Sequence, residues 1–474
     1  MLPPAPLSLL VDLYELTMAE SYFRHRVKAQ ATFDLFVRHL PVQRSYLVFA
    51  GLDDILRYLK GLRFTQDDLA FLERLGFGEE FLTYLGRLRF HGDVWAMPEG
   101  TVFFPNEPVL RVTGSLIEAQ MIESFLLNTV NLSTMVATKA SRIVTAAAGR
   151  GVYDFSLRRT HGVDASLKAA RSAYIAGCRG TSNVLAAKLY GIPAVGTMAH
   201  SYVMSFAKEK DAFRAFFEAF PAKCILLVDT YDTEEGVRNA IKVAREFRAK
   251  GHVLKGVRLD SGDIVVLSRT ARRMLDAAGF RKTKIFASGD LDEYKIEHFV
   301  KAKAPVDDFG VGTRMGASVD APSLDVIYKI AEVTDDQGVF VPVMKFSQKK
   351  VTLPGRKQVF RVKDAKGFYV KDVIGLEDEG VGEPMLHMVM SAGEIIYAPR
   401  PLGDVRAATL KNISRLKASC KRLRRVAAYP VVVSPGLRKL VRRLSLALKK
   451  RQKPSLAASG SSLRRHGPKG KNTI

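Results

Sequence analysis

An α/β fold built on a parallel barrel is what this sequence predicts, and three observations carry the prediction. Short runs rich in Val, Ile, Leu and Phe recur at residues 151–157, 192–196, 224–229, 256–260, 284–289 and 308–312. Most are separated by helical patterns, at 164–176, 183–190, 233–250 and 267–278, with apolar residues three and four positions apart. With 178–181 as a further short strand, the count is about seven strand–helix repeats, the alternation of a parallel sheet covered by helices. The runs end in polar residues one after another rather than at a single switch point, which favours a barrel over an open doubly wound sheet.

The flanks read differently. Residues 31–36, 88–96 and 109–112 have strand character and are interrupted by helical patterns at 52–62 and 65–75. After the barrel, 351–362 and 367–376 suggest antiparallel strands joined at turns such as Pro354-Gly355. The simplest arrangement is a discontinuous α/β sandwich domain, 1–130 plus 345–440, enclosing a barrel at 131–344. Residues 441–474 form a basic tail, and from Gln452 onward the mixture of Lys, Arg, Ser, Gly and Pro, almost without aliphatic residues, predicts disorder.

Composition narrows the function. A 474-residue chain with 47% hydrophobic and 26% charged residues reads as a soluble globular protein. No run reaches the length of a membrane span, and no basic region precedes the short apolar run near the start. Three widely spaced cysteines, Cys178, Cys224 and Cys420, fit neither a disulfide framework nor a paired-cysteine zinc site, so the expected compartment is reducing cytoplasm. The net charge of +25 is mostly C-terminal: residues 401–474 contribute +19 and the first 400 only +6. A nucleic-acid-binding protein using that tail on a barrel scaffold is therefore the alternative to an enzyme. The last 40 positions contain no aromatic residue to stack on bases, which leaves only nonspecific contact.

The strand ends carry the chemistry. Asp229 and Asp232 follow one strand, where a carboxylate can hold a sugar hydroxyl or a magnesium ion bridging phosphates, or can simply cap a helix. In VRLDSGD, Arg258 and Asp260 occupy alternate positions and so face one side of their strand, as a shared site or as a structural salt bridge. Gly289-Asp290 precede a helix, and Gly310 and Gly312 followed by Thr313 offer unhindered backbone N–H groups to a phosphate. His200 sits directly after a strand at the same rim, placed to act as a general base, a phosphate ligand or a nucleophile. Phe155 with Arg158 and Arg159 can hold a flat anionic ring by stacking and a guanidinium–carboxylate pair. HExxH, Walker, GxGxxG and nucleophile-elbow motifs are missing, which argues against metalloprotease, nucleotide-motor, dehydrogenase and esterase chemistry.

With these motifs in order, the chain resembles nicotinate phosphoribosyltransferases over roughly residues 8–440. VDLYELTMAESYF, FDLFVRHLP, YDFSLRRTHG, GTSNVLAAKLYGIPAVGTMAHS, VRLDSGD, ASGDLDE, FGVGT and VTLPGRKQVFR all match the family's pattern. The resemblance implies the type II phosphoribosyltransferase architecture, an incomplete α/β barrel with a sandwich domain, working as a homodimer with active sites at the interface. It implies transfer of phosphoribosyl from phosphoribosyl pyrophosphate to nicotinate, with Mg2+ and with ATP as co-substrate, in NAD biosynthesis. His200 would be the phosphorylated histidine, Phe155 would stack on the pyridine ring, and Tyr14 would reach that ring from the neighbouring subunit. Arg158, Arg159 and Arg258 would line the nicotinate and pyrophosphate pocket, and Ser201 and Thr313 would join the substrate contacts. Asp229, Asp260 and Asp290 would face the ribose or its magnesium, while Gly289, Gly310 and Gly312 would cradle the 5-phosphate. Ser182 replaces an Asp of the related nicotinamide enzymes, which favours an acid over an amide substrate. Quinolinate, with two carboxylates, would need a more basic pocket.

Overall fold

The computed structural model describes residues 7–345 and 352–452, with side chains given through Lys450. The predicted tail from residue 453 onward lies outside them. Five parallel strands pair in the order Gly151–Asp154, Asp308–Val311, Lys284–Ala287, Gly256–Leu259, Ile225–Leu227. Two further staves are single bridges, Asp154 to Thr181 and Thr181 to Ala194, both parallel. The ring thus has a seam between Ala194 and Ile225, where no pairing joins the staves. The runs 178–181 and 192–196, read as strands, are therefore reduced to bridge points. Pro193 has no N–H to extend a ladder, and a Cβ on Gly180 would stand 2.6 Å from the Pro193 carbonyl oxygen.

The barrel helices start where acidic or amide side chains cap them. Asn183 caps Val184–Tyr190, Asp232 caps Thr233–Arg248, Asp263 caps Ile264–Ala277, and Asp292 caps Glu293–Lys301. The third begins ahead of the expected 267 because the Asp263 carboxylate accepts from the N–H groups of Val265 and Val266. Fully buried Leu226, Val257, Leu259, Ile285 and Phe309 from the strands meet Val243, Ala244 and Ile296 from these helices in one apolar core.

The flanking segments combine as expected, but their boundaries move. A seven-stranded sheet has the order Phe340–Pro342, Val326–Thr334, Gln30–Val37, Leu110–Ser115, Asp93–Ala96, His387–Ser391, Glu394–Ile395. The return segment therefore enters this sheet at Val326, not at 345, and the helix Glu123–Ala146 runs unbroken across the expected boundary at 130. A second sheet pairs Lys357–Lys363 with Tyr369–Leu376 in antiparallel register. Their connection is the turn at Asp364–Phe368, with Gly367 at φ +78°, whereas Pro354-Gly355 precedes the pair. The helix Pro435–Gln452 crosses residue 441 and buries Leu437 and Leu440 against Ile374, so an unstructured tail does not begin at 441. No described helix is long and apolar enough to cross a membrane.

One buried acid makes this outer domain sensitive to pH. Glu15, on the helix Leu13–Arg24, is fully buried; Ser124 donates to its Oε1, and its Oε2 has no hydrogen-bond partner. Burial first, then the neighbouring Glu123 carboxylate, pushes its pKa up to about 8. A carboxyl whose folded pKa is raised stays protonated while the unfolded chain ionises, so folding stability declines as pH rises from about 4.5 to about 8. Glu15→Gln should remove part of that decline and stabilise the protein at pH 8 by on the order of 2 kcal/mol. Thermal midpoints of both proteins at pH 6 and pH 8 check this; a difference that does not grow with pH contradicts it.

Candidate active site

The site assembles around the guanidinium of Arg258, at the end of the Gly256–Leu259 strand. Its Nε donates to Ser288 Oγ at 2.8 Å, and one terminal nitrogen to Thr197 Oγ1 at 3.1 Å and the Met198 carbonyl at 3.3 Å. The other terminal nitrogen donates to Asp260 Oδ1 at 2.6 Å. Three strand-end segments, at 197–198, 258–260 and 288, are thereby tied to one planar fork, a geometry that only Arg supplies. Ser288 Oγ also donates to Asp260 Oδ1 in a short contact. Burial would raise the Asp260 pKa, but the hydrogen bonds from Ser288 and Arg258 outweigh it and hold the carboxyl below its usual value.

Asp229 braces this group from behind. Its Oδ2 accepts from the Asp260 backbone N–H at 2.7 Å and from Ser261 Oγ at 2.8 Å, and the residue is only 8% exposed. Asp229 and Asp260 are thus successive layers rather than two equivalent ligands. Asp232, the other acid of its motif, is the helix cap already described. Asp290 stands outside the layers: with φ at +46°, it accepts from Arg314 at 3.0 and 3.1 Å and lies 3.5 Å from Lys295. Among the described residues, no three His, Cys, Asp or Glu side chains gather as a metal cage.

His200 opens a short helix, His200–Met204, just beyond the last stave before the seam. Its Nδ1 lies 3.2 Å from Thr230 Oγ1 and its Nε2 4.0 Å from Asp260 Oδ2, and the side chain is 41% exposed. The imidazole is thus oriented from one side, backed by a carboxylate on the other, and open to solvent. Ser201, next on the same helix, is exposed.

Phe155 forms the aromatic wall. It lies 5.7 Å from Phe286, nearly parallel, and the Arg258 guanidinium carbon sits 5.7 Å from its ring centre. Gly310 belongs inside the Asp308–Val311 strand, fully buried, and a Cβ there would stand 2.6 Å from the Phe155 ring. Its place is explained by room for that ring rather than by a loop around phosphate. Gly312 does lie in a loop, with Thr313 exposed after it, and Gly289 at φ +96° lets its backbone pass against Asp260.

Arg158 and Arg159 lie on an exposed 3-10 turn, Leu157–Arg159, and neither guanidinium has an ion-pair partner among the described residues. Ser182 is half-buried, and its N–H donates to the Asp154 carbonyl at 2.8 Å. Tyr14 is 49% exposed on the helix Leu13–Arg24, which packs on the sandwich helices Leu116–Met121 and Glu79–Arg87, and so does not join the rim of its own chain.

Sequence reasoning missed Asp154, Ser156, Thr197, Thr230 and Ser288. Asp154 is almost fully buried; Ser156 donates to Oδ1 through N–H and hydroxyl at 2.9 and 2.6 Å, and Thr181 donates to Oδ2 at 2.7 Å. Burial outweighs these bonds and raises its pKa. The signal was an acid inside a buried strand, which requires partners in the next stave.

Three family descriptions match the chain: the nicotinate phosphoribosyltransferase N-terminal domain over residues 9–131, the nicotinate phosphoribosyltransferase family over 151–353, and the family's C-terminal domain over 381–441. Among similar proteins, a nicotinate phosphoribosyltransferase of Mycobacterium tuberculosis is 44% identical over 431 residues, covering 90% of this chain and 91% of the relative. That of Bacillus subtilis is 40% identical over 458 residues, covering 90% and 93%. Among solved structures, human nicotinic acid phosphoribosyltransferase superposes with a TM-score of 0.82 at 29% identity, covering 91% of this chain and 99% of that one. The Pyrococcus furiosus protein described as a nicotinate-nucleotide pyrophosphorylase gives 0.69 at 27% identity, covering 87% and 97%.

Proposed function

Because the chain belongs to the nicotinate phosphoribosyltransferase family, we propose that it joins nicotinate to phosphoribosyl pyrophosphate, releasing pyrophosphate and forming nicotinate mononucleotide for NAD biosynthesis. The observation that carries this reading is the Arg258–Asp260–His200 group beside the Phe155 wall. The pyridine nitrogen attacks the anomeric carbon as the bond to pyrophosphate breaks and its electron pair leaves with the pyrophosphate. The sugar carries positive charge in between, so the site must position the ring and stabilise the leaving anion. Phe155 packs on the ring, and the unpaired guanidinium groups of Arg158 and Arg159 supply the charge for carboxylate and phosphate. Asp260, held ionised by Arg258 and Ser288, faces the cationic sugar.

Magnesium would fit this donor set as an ion accompanying the pyrophosphate, where it would supply charge neutralisation to the leaving group. With no cage of three ligands among the described residues, the chain's contact to it would be Asp260 Oδ2, the oxygen that Arg258 and Ser288 do not engage, in keeping with the few protein contacts magnesium takes beside phosphate oxygens and water. ATP dependence belongs to His200. Its Nε2 attacks the terminal phosphorus, ADP leaves, and water later cleaves the phosphohistidine; Thr230 orients the ring meanwhile. Tyr14, turned away from its own rim, would serve the site of a second copy in a homodimer. Ser182 and the nearby arginines favour nicotinate over nicotinamide. Family matches at residues 9–131, 151–353 and 381–441 favour the enzyme over the nucleic-acid-binding reading.

Pyrophosphate release from phosphoribosyl pyrophosphate and nicotinate, with magnesium and with or without ATP, tests the proposal. Wild type should be stimulated by ATP; His200→Ala should keep slow synthesis and lose the stimulation. Equal stimulation of both proteins contradicts the role given to His200.

A further inference from the structure

Five charged side chains gather where the barrel meets the outer domain, four of them buried. Lys139 and Arg142 come from the helix Glu123–Ala146, Arg44 from the loop after the Gln30–Val37 strand, and Glu293 opens the helix Glu293–Lys301. The fifth, Asp320, has a side chain 35% exposed. Lys139 Nζ lies 2.5 Å from Glu293 Oε2 and 2.8 Å from Asp320 Oδ1. Each acid also has an arginine of its own: Arg142 Nε donates to Glu293 Oε1 at 3.0 Å, and Arg44 donates to Asp320 Oδ2 at 2.9 Å. The other terminal nitrogen of Arg44 comes only within 3.8 Å of Glu293 and makes no hydrogen bond. Among the described residues, Lys139 alone therefore stands at hydrogen-bond distance from both acids.

The two acids close two neighbouring segments of the rim. Glu293 ends the segment that leaves the Lys284–Ala287 strand through Gly289, and Asp320 ends the one that leaves the Asp308–Val311 strand through Gly312; these strands pair in parallel. In both segments a glycine leaves backbone N–H groups unobstructed, which suits a phosphate held from two sides. Such a phosphate is held only while the spacing between the segments is fixed. The exposed pair Asp290–Arg314 also joins them, but an ion pair in water contributes little. The buried bridge is the stiffer link. Charge makes the same point: three cations face two acids, so neutrality does not require Lys139, and a buried ammonium costs desolvation. What it supplies beyond the two arginines is the connection between the acids.

We propose that Lys139 is a positioning residue for phosphoribosyl pyrophosphate, fixing the spacing of the Gly289 and Gly312 segments that receive its 5-phosphate. The role rests on the phosphoribosyl transfer proposed above and gives that site a determinant for one substrate only. Phe155, Arg158 and Ser182, which face the base, belong to other staves.

Lys139→Met leaves each acid with its arginine, so no buried carboxylate loses its last cation. Asp320→Asn breaks the same bridge from its solvent side, and the test does not depend on the buried variant alone. Calorimetric titration with phosphoribosyl pyrophosphate and magnesium, together with steady-state kinetics in nicotinate, should show each variant binding phosphoribosyl pyrophosphate about tenfold more weakly, with KM for nicotinate within about twofold of wild type. The double variant should be weaker than either single one by no more than about twofold, because both act through one link. Phosphoribosyl pyrophosphate affinity within about twofold of wild type in both single variants, or equal weakening toward the two substrates, overturns the role of Lys139 and leaves the transfer reaction standing. No binding of phosphoribosyl pyrophosphate by wild type overturns both.

Discussion

Arg258→Ala should lower kcat/KM for nicotinate by about a thousandfold, equivalent to about 4 kcal/mol of lost transition-state stabilisation. The size of the loss follows from what the guanidinium holds. It ties Ser288, Thr197, the Met198 carbonyl and Asp260 together, so its removal frees three strand ends and leaves Asp260 without its cation. Asp260 would then lose one of the interactions that keep it ionised, and the distance to His200 would no longer be fixed. Arg258→Lys should recover little, because one ammonium cannot reproduce contacts aimed in several in-plane directions. Steady-state kinetics of both variants decide the matter; an Arg258→Ala enzyme within threefold of wild type contradicts the assembly described here.

Gly289→Ala should destabilise the barrel by about 3–5 kcal/mol, among the largest effects of any single methyl addition in the chain. Two causes act together. Gly289 has φ at +96°, and a Cβ there would lie 1.9 Å from the Asp260 carbonyl oxygen. The first alone costs about 1 kcal/mol; the second sets side chain against backbone, which yields only by separating two adjacent strands. Gly191 provides the comparison, because its φ is +67° but nothing lies within 4 Å of its would-be Cβ. Gly191→Ala should therefore cost about 1 kcal/mol, and thermal or urea denaturation of the pair separates conformational strain from overlap. Equal costs at the two glycines would show that the close approach to Asp260 is not rigid.

The barrel was legible because its buried strands are continuous apolar runs and its helices have regular spacing, as at 225–227 and 233–248. The two staves that failed to form ladders show the limit of that signal. Composition does not reveal that Pro193 and the close packing of Gly180 reduce them to bridges. The domain boundaries moved because the strand Val326–Thr334 carries barrel-like apolar content yet pairs with Gln30–Val37, a partner almost 300 positions away. In the site, alternation along one strand correctly brought Arg258 and Asp260 to one face. It could not separate Asp229 as a brace, Asp232 and Asp263 as caps, and Asp290 as a partner of Arg314, since four acids after strands look alike until their hydrogen bonds are known. Gly310 was misread for a similar reason: a glycine before a loop suggests a phosphate, and only the position of the Phe155 ring shows what its missing side chain accommodates.

The central claim is that this rim transfers phosphoribosyl to a pyridine monocarboxylate. Its most direct test is pyrophosphate release by the purified full chain with nicotinate, nicotinamide or quinolinate as the base, each with magnesium and phosphoribosyl pyrophosphate and each with and without ATP. The structure and its family predict rapid release with nicotinate, further accelerated by ATP, and little with the other two. Absence of release with nicotinate, or faster release with nicotinamide or quinolinate, would contradict it.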